Sequence, residues 1–283
     1  MSSTTAADES RGSAVHGAAH FDQLSDVYDE LVGVLTGDIG RYAIDHLIPF
    51  PTSETSIHDN ACGTGLMTAH LQQVASAPKK IHATDYVPSV TRVMQQKAVR
   101  NGWTNVEISV MDSQELTFPD GYFDLSITNF GIFFLPDPQR GAHQIYRTLK
   151  QGGVAVVTTW KERRIMDTIV AAQKSIRPDL ETLSAPWAEL WAKEKTLRDV
   201  LVNAGFRAEN VQIVEKKTDA IVEPFLRDPN MVARGYPAAT KGWSDEERGR
   251  LGSEMLRIAQ EQDPQGRGAR DLFSTAYIAI AKK

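Results

Sequence analysis

The chain has one cysteine, Cys62, in 283 residues. It can therefore form no internal disulfide and no multi-cysteine metal site, and it suits a reducing compartment. No run of about 18 apolar residues occurs, so no transmembrane helix is expected. No basic excess exists either. The formal net charge is -5, which argues against a general nucleic-acid binder, since such proteins neutralise phosphates with Lys and Arg. The densest basic cluster, Lys161-Glu162-Arg163-Arg164, is short and reads as solvated surface. Internal repeats and sustained heptads are also missing. What is present is ordinary globular composition, 41% hydrophobic and 24% charged.

Residues 1–19 are rich in Ser, Thr, Ala and Gly, with no apolar segment of the secretory kind, and are expected to be a disordered tail. Phe21, Leu24, Tyr28, Leu31, Val32 and Leu35 then recur at helical steps. Gly37 is expected to end that helix, and Ile39 to Leu47 to form a second. From Ser56 onward short apolar runs alternate with helical patterns, which predicts an α/β chain with a mostly parallel sheet. Strands are expected at 56–60, 80–84, 106–110, 123–129, 154–159, 211–214 and 273–281. Helices are expected at 66–74, from Pro88, from Asp137-Pro138 to the Gly152-Gly153 pair, within 165–191, and at 197–204 and 245–260.

The chemistry concentrates in Asp59-Asn60-Ala61-Cys62-Gly63-Thr64-Gly65, where the first strand hands over to a helix. Small residues let the backbone turn sharply and bring its N–H groups to a ligand, with the positive end of a helix behind them. A phosphate-binding P-loop needs a Lys after its last glycine, and none follows Gly65. A dinucleotide fingerprint needs a third glycine, where this chain has Thr68. Asp85 stands twenty positions after Gly65 at a strand end, where a carboxylate can accept ribose hydroxyls.

The Asp59–Gly65 segment resembles the first motif of the class I S-adenosylmethionine-dependent methyltransferases, with Ala61 where glycine is usual. A strictly positive φ at Ala61 would strain the loop. The Phe21-Asp22…Tyr28-Asp29 segment is similar to the opening of the ubiquinone/menaquinone-biosynthesis type of small-molecule methyltransferase. The resemblance implies a Rossmann-like fold: a seven-stranded, mostly parallel sheet with helices on both faces. It also implies a helical lid at 20–50 and a methyltransferase domain over 51–283, while aromatic and Met-bearing content points to substrate-cap segments at 163–195 and 223–270 above the strand ends. S-adenosyl-L-methionine is the implied cofactor, held by Phe21, Tyr28, Asp59, Ala61, Gly63, Gly65, Asp85, Met111, Asp112, Asn129 and Phe130. Asp112 would meet the adenine amino group beside the apolar wall of Met111, and Asn129-Phe130 would face the methyl group.

The implied activity is methyl transfer to a small, fairly apolar acceptor, quinone-like or a secondary metabolite, with no metal, nucleic acid or membrane involved. A cytoplasmic monomer or homodimer is expected. Aromatic and Met-bearing stretches with Phe225, Met231, Tyr236 and Trp243 are the expected acceptor contacts. No persuasive general base is evident; His20 and Trp160 are the candidates at the crevice. His143 falls off its helix's apolar face, His58 and His82 lie inside strands, and Cys62 has no neighbouring histidine to activate it. Two alternatives stand: a methyltransferase-fold protein that binds the cofactor without methylating, and a protein methyltransferase.

Overall fold

A computed structural model describes residues 29, 33–49, 51–73, 78–179, 186–218, 232, 237–262 and 274–283. Seven strands form one sheet in the order β3-β2-β1-β4-β5-β7-β6. They are β1 (Ser56–Asn60), β2 (Lys80–Asp85), β3 (Val106–Val110), β4 (Phe123–Asn129), β5 (Leu149–Arg163), β6 (Val211–Lys217) and β7 (Ser274–Lys282). Strands β1 to β5 pair in parallel, and β7 inserts antiparallel between β5 and β6. The strands of the middle, β1, β2 and β4, are buried almost throughout. Burial on both faces explains why they read as apolar runs rather than as alternating patterns.

The order reverses at β1/β4. Helices α2 (Leu66–Leu71) and α3 (Pro88–Asn101) return the chain outward to β2 and β3, whereas α4 (Pro138–Thr148) returns it the other way to β5. Right-handed crossovers then put α2 and α3 on one face and α4 on the other. The crevice beyond the strand C-termini at this switch point is where such sheets bind ligands. Pro88 and Pro138 stand at the helix starts, where a missing N–H costs nothing, and Asp137 caps α4 by accepting from Arg140 N at 3.0 Å. On the α4 side α7 (Glu194–Asn203) packs alongside, preceded by the short α6 (Pro186–Trp191).

One helix, α1 (Val34–His46), replaces the expected break at Gly37. Gly37 and Gly40 are buried inside it. A Cβ on Gly40 would stand 2.1 Å from Met67 Sδ and 3.1 Å from Asn129 Oδ1, so this glycine serves close packing rather than termination. The Gly152-Gly153 pair does not end α4 either. The helix stops at Thr148, and the glycines form an irregularity inside β5, whose register shifts between Phe123↔Leu149 and Leu125↔Val154. Strand β6 runs three residues beyond the expected 214.

The main core spans both sheet faces, with Ile39, Ile57, Ile81, Phe123, Ile127 and Phe206 among its buried members. A second, separate core joins α5 (Arg164–Ile176) to α8 (Asp245–Glu261). It contains Ile165, Ile169, Trp243, Leu251 and Met255, with Leu35 from α1. Ser244 and Glu247 form a reciprocal capping box at the start of α8. Trp160 packs against both cores. Among the described residues no helix is long and apolar enough to cross a membrane.

Candidate active site

The loop after β1 is held from below. Asp59 is 1% exposed, and its Oδ2 accepts from Thr68 N at 3.0 Å and Thr68 Oγ1 at 2.6 Å. Burial pushes its pKa up to about 7, with the Thr68 bonds opposing that rise. The residue that stood in the way of a dinucleotide fingerprint is thus the partner that ties α2 to the end of β1. Cys62 N donates to Thr84 O at 3.0 Å, joining the turn to β2, and Gly65 N donates to Cys62 O at 2.9 Å.

Three loop residues adopt positive φ: Ala61 at 52°, Gly63 at 54° and Gly65 at 85°. Gly63 faces open space, since a Cβ there would meet nothing within 4 Å, whereas one on Gly65 would enter Met94. The strain expected at Ala61 is therefore present, and the structure makes room for its methyl. A Cβ on the facing Gly131 would come within 2.5 Å of Ala61 Cβ.

Asp85 closes the next strand. Its Oδ2 accepts from Gly63 N at 2.8 Å and its Oδ1 from Val87 N at 2.9 Å. Burial raises its pKa, and these backbone donors counteract the rise. Met111 N donates to Asp85 O at 2.9 Å, so the ends of β2 and β3 are fixed together. Asp112, partly buried, accepts from Gln114 N and Gln114 Nε2 at 2.8 and 3.0 Å through Oδ1. The ends of β2 and β3 thus bring Asp85 and Met111 together, with Asp112 next along the chain.

At the end of β4, Asn129 Nδ2 donates to Thr36 O at 3.0 Å, and its Oδ1 accepts from Thr158 Oγ1 at 2.9 Å. Its amide therefore clamps α1 and β5 to the strand end. Phe130 follows at φ 56°, with its N–H on Thr158 Oγ1, and its ring stacks on Trp160 at 4.0 Å between centroids. Two non-glycine residues in the left-handed region, Ala61 and Phe130, thus flank the mouth of one crevice, as strained positions at functional sites commonly do.

Several contacts of the site were not found from sequence. Ser113 Oγ donates to Asn60 Oδ1 at 2.8 Å, and Asn60 Nδ2 to Thr128 Oγ1 at 3.1 Å, a buried polar chain beneath the loop. Asp29 receives Thr64 Oγ1 on one oxygen and Lys97 Nζ on the other, while Lys97 Nζ also donates to Thr64 O at 3.0 Å. This joins the segment before α1 to the glycine loop and α3. Asp38 Oδ2 is buried with no partner among the described residues. It lies on the α1 face that carries Leu35 and Tyr42. Asn60, Thr64 and Asp29 fall within segments the sequence singled out, but no local signal marks these bonds, because each depends on which distant elements meet.

The remaining candidates are placed as follows. His20, Phe21 and Tyr28 lie outside the described residues, as do Phe225, Met231 and Tyr236. His143 is exposed. His58 is fully buried, stacks on Phe123 and shares a hydrogen bond of 2.9 Å with Thr84 Oγ1; burial lowers its pKa to about 3. His82 is also lowered, by burial, and packs on Phe118 and Tyr122. Cys62 is buried against Met94, and burial raises its thiol far from reactivity. Among the described residues no group of His, Cys, Asp or Glu could hold a metal.

With this geometry in hand, the chain's kinship can be read. Residues 58–157, from β1 into β5, match the methyltransferase domain family. The strand order and the loop at the switch point are those of the Rossmann-like methyltransferase fold. Methyltransferase ktnA of Aspergillus niger is 28% identical over 83% of this chain and 86% of its own length. A demethylmenaquinone methyltransferase of Clavibacter sepedonicus is 27% identical over 67% of this chain and 81% of its own. Among solved structures, a phospholethanolamine N-methyltransferase of Haemonchus contortus, in complex with phosphomonomethylethanolamine and S-adenosylhomocysteine, superposes with a TM-score of 0.55. That likeness, at 16% identity, covers 93% of this chain and 60% of that one and shows the fold.

Proposed function

We propose that the chain is an S-adenosylmethionine-dependent methyltransferase acting on a small, fairly apolar organic acceptor, quinone-like or a secondary metabolite. The observation that carries this reading is the pairing of Asp85 with the open glycine loop. A carboxylate has about four acceptor sites. Backbone N–H groups of Gly63 and Val87 occupy two of them, and the N–H of Tyr86 also bonds to the carboxylate. The remaining acceptor capacity would meet the hydroxyls of a ribose, across from the face where Gly63 leaves room. Asp112 offers a second partly exposed carboxylate for an amino group, and Met111 an apolar surface between them. The donor set fits a nucleoside without phosphates, since the crevice presents carboxylates where a phosphate would need cations.

The bound cofactor would supply an activated methyl group carried on a sulfonium. The chain's part is orientation and exclusion of water. Asp59 and Thr68 fix the loop, Asn129 and Thr158 fix the end of β4, and Phe130 with Trp160 presents an aromatic wall to the acceptor side. The segments 163–195 and 223–270 would cover the acceptor, and the name of the demethylmenaquinone relative supports a quinone-like one. The single cysteine suits a cytoplasmic setting. Incubating the protein with S-adenosylmethionine and a panel of hydroquinones and phenols tests the reading. A product one CH₂ heavier is expected, and no methylated product from any acceptor would refute it.

A further inference from the structure

The second core holds two polar side chains that its apolar surroundings do not explain. Gln173, on the inner face of α5, is 5% exposed, and its Nε2 donates to Ala239 O at 2.7 Å. Its Oε1 has no partner among the described residues. Trp243 is 4% exposed, and its Nε1–H likewise has none. Both are tied to one short turn. Ala239 receives Gln173, and the next carbonyl, that of Thr240, receives Trp243 N at 3.1 Å. Ile169, Ala172, Leu251 and Met255 surround them. A buried unpaired donor or acceptor is costly, and most such atoms in native proteins find a partner.

The two orphans are opposite in kind, an amide oxygen that accepts and an indole N–H that donates. A hydroxyl can satisfy both at once, because it donates and accepts. This core also connects to the proposed methyl-transfer crevice. Trp160 packs against it while stacking on Phe130. Gln173 lies eight residues along α5 from Ile165, about 12 Å at the helical rise. A group held at Gln173 is therefore remote from the reacting end of the acceptor.

We propose that Gln173 Oε1 and Trp243 Nε1 form a hydroxyl-recognising subsite at the far end of the acceptor site, selecting extended aromatic acceptors that carry a second hydroxyl. The proposal rests on the methyltransferase reading, and its test is separable from that reading. Two probes are titrated into the full chain with S-adenosylhomocysteine present: a dihydroxyanthraquinone with hydroxyls at opposite ends, and the monohydroxy analogue. The wild-type protein is expected to favour the dihydroxy probe by about tenfold or more. Trp243→Phe and Gln173→Leu should each bring the ratio close to one while leaving S-adenosylhomocysteine affinity unchanged.

Equal wild-type affinities, or binding of neither probe, would overturn the subsite, and this comparison stands even if a variant fails to fold. A preference that survives both substitutions would also overturn it, leaving the pair as the site of a buried water. Failure to bind S-adenosylhomocysteine, by contrast, would count against the cofactor assignment, and the probe ratio measured without it would still judge the subsite.

Discussion

Ala61 and Gly131 form a matched pair across the crevice, one carrying a methyl at positive φ and the other lacking the atom that would strike it. Ala61→Gly removes the left-handed penalty and should stabilise the protein by up to about 1 kcal/mol after the entropy of glycine is counted. Gly131→Ala should destabilise by about 1–3 kcal/mol through overlap. Combined with Ala61→Gly it should cost less, a coupling that urea denaturation of the four proteins measures. The neighbouring pair His58 and Asp59 makes a signed prediction. His58 stays neutral in the fold from about 3 upward while its unfolded form protonates near 6.5, so it makes stability rise with pH over that window. Asp59, raised from 3.8 to about 7, binds its proton in the fold while the unfolded form is ionised, so it makes stability fall as pH rises. The two oppose each other between about pH 4 and 6.5. Relative to wild type, His58→Phe should lose stability and Asp59→Asn should gain it as pH rises across that range, by about 1.4 kcal/mol per unit. Parallel urea curves for all three proteins would refute the opposition. Asp59, Gly63, Gly65 and Asp85 were legible in the sequence because their types and spacing are local. The bonds from Thr68 to Asp59 and from Ser113 to Asn60 were not, since they require knowing which strand end adjoins which turn.

The elements follow their local signals where those signals are unambiguous. Proline and aspartate mark the starts of α3 and α4, and the Ser244/Glu247 box marks that of α8. Glycine misled at Gly37, which lies inside α1 instead of ending a helix, and at Gly152-Gly153, which do not end α4. Gly40 lets α1 lie against Met67 and Asn129, and Gly152-Gly153 break the register of β5. Gly40→Ala should therefore cost about 1–3 kcal/mol despite alanine's better helix propensity, because the added carbon overlaps Met67 Sδ. Thermal denaturation distinguishes the two effects. A stabilised variant would mean that propensity outweighs packing in α1.

At the scale of the whole molecule, the alternation of runs and helical patterns was enough for a mostly parallel sheet, and the family resemblance for its seven strands; the strand order came only with the structure. The separate core between α5 and α8 was not legible, because Ile165, Trp243 and Met255 are distant in sequence and show no shared periodicity. That division sets a second apolar core beside the crevice at the β1/β4 switch point, with Trp160 packed against both cores. The central claim is that the crevice holds a nucleoside through Asp85. Calorimetric titration of S-adenosylhomocysteine into the wild type, Asp85→Asn and Asp85→Ala tests it most directly. The wild type is expected to bind one equivalent, and Asp85→Ala to bind at least about tenfold more weakly for loss of charge-assisted hydrogen bonds, with Asn between. No binding by the wild type, or equal affinity in Asp85→Ala, would contradict the account.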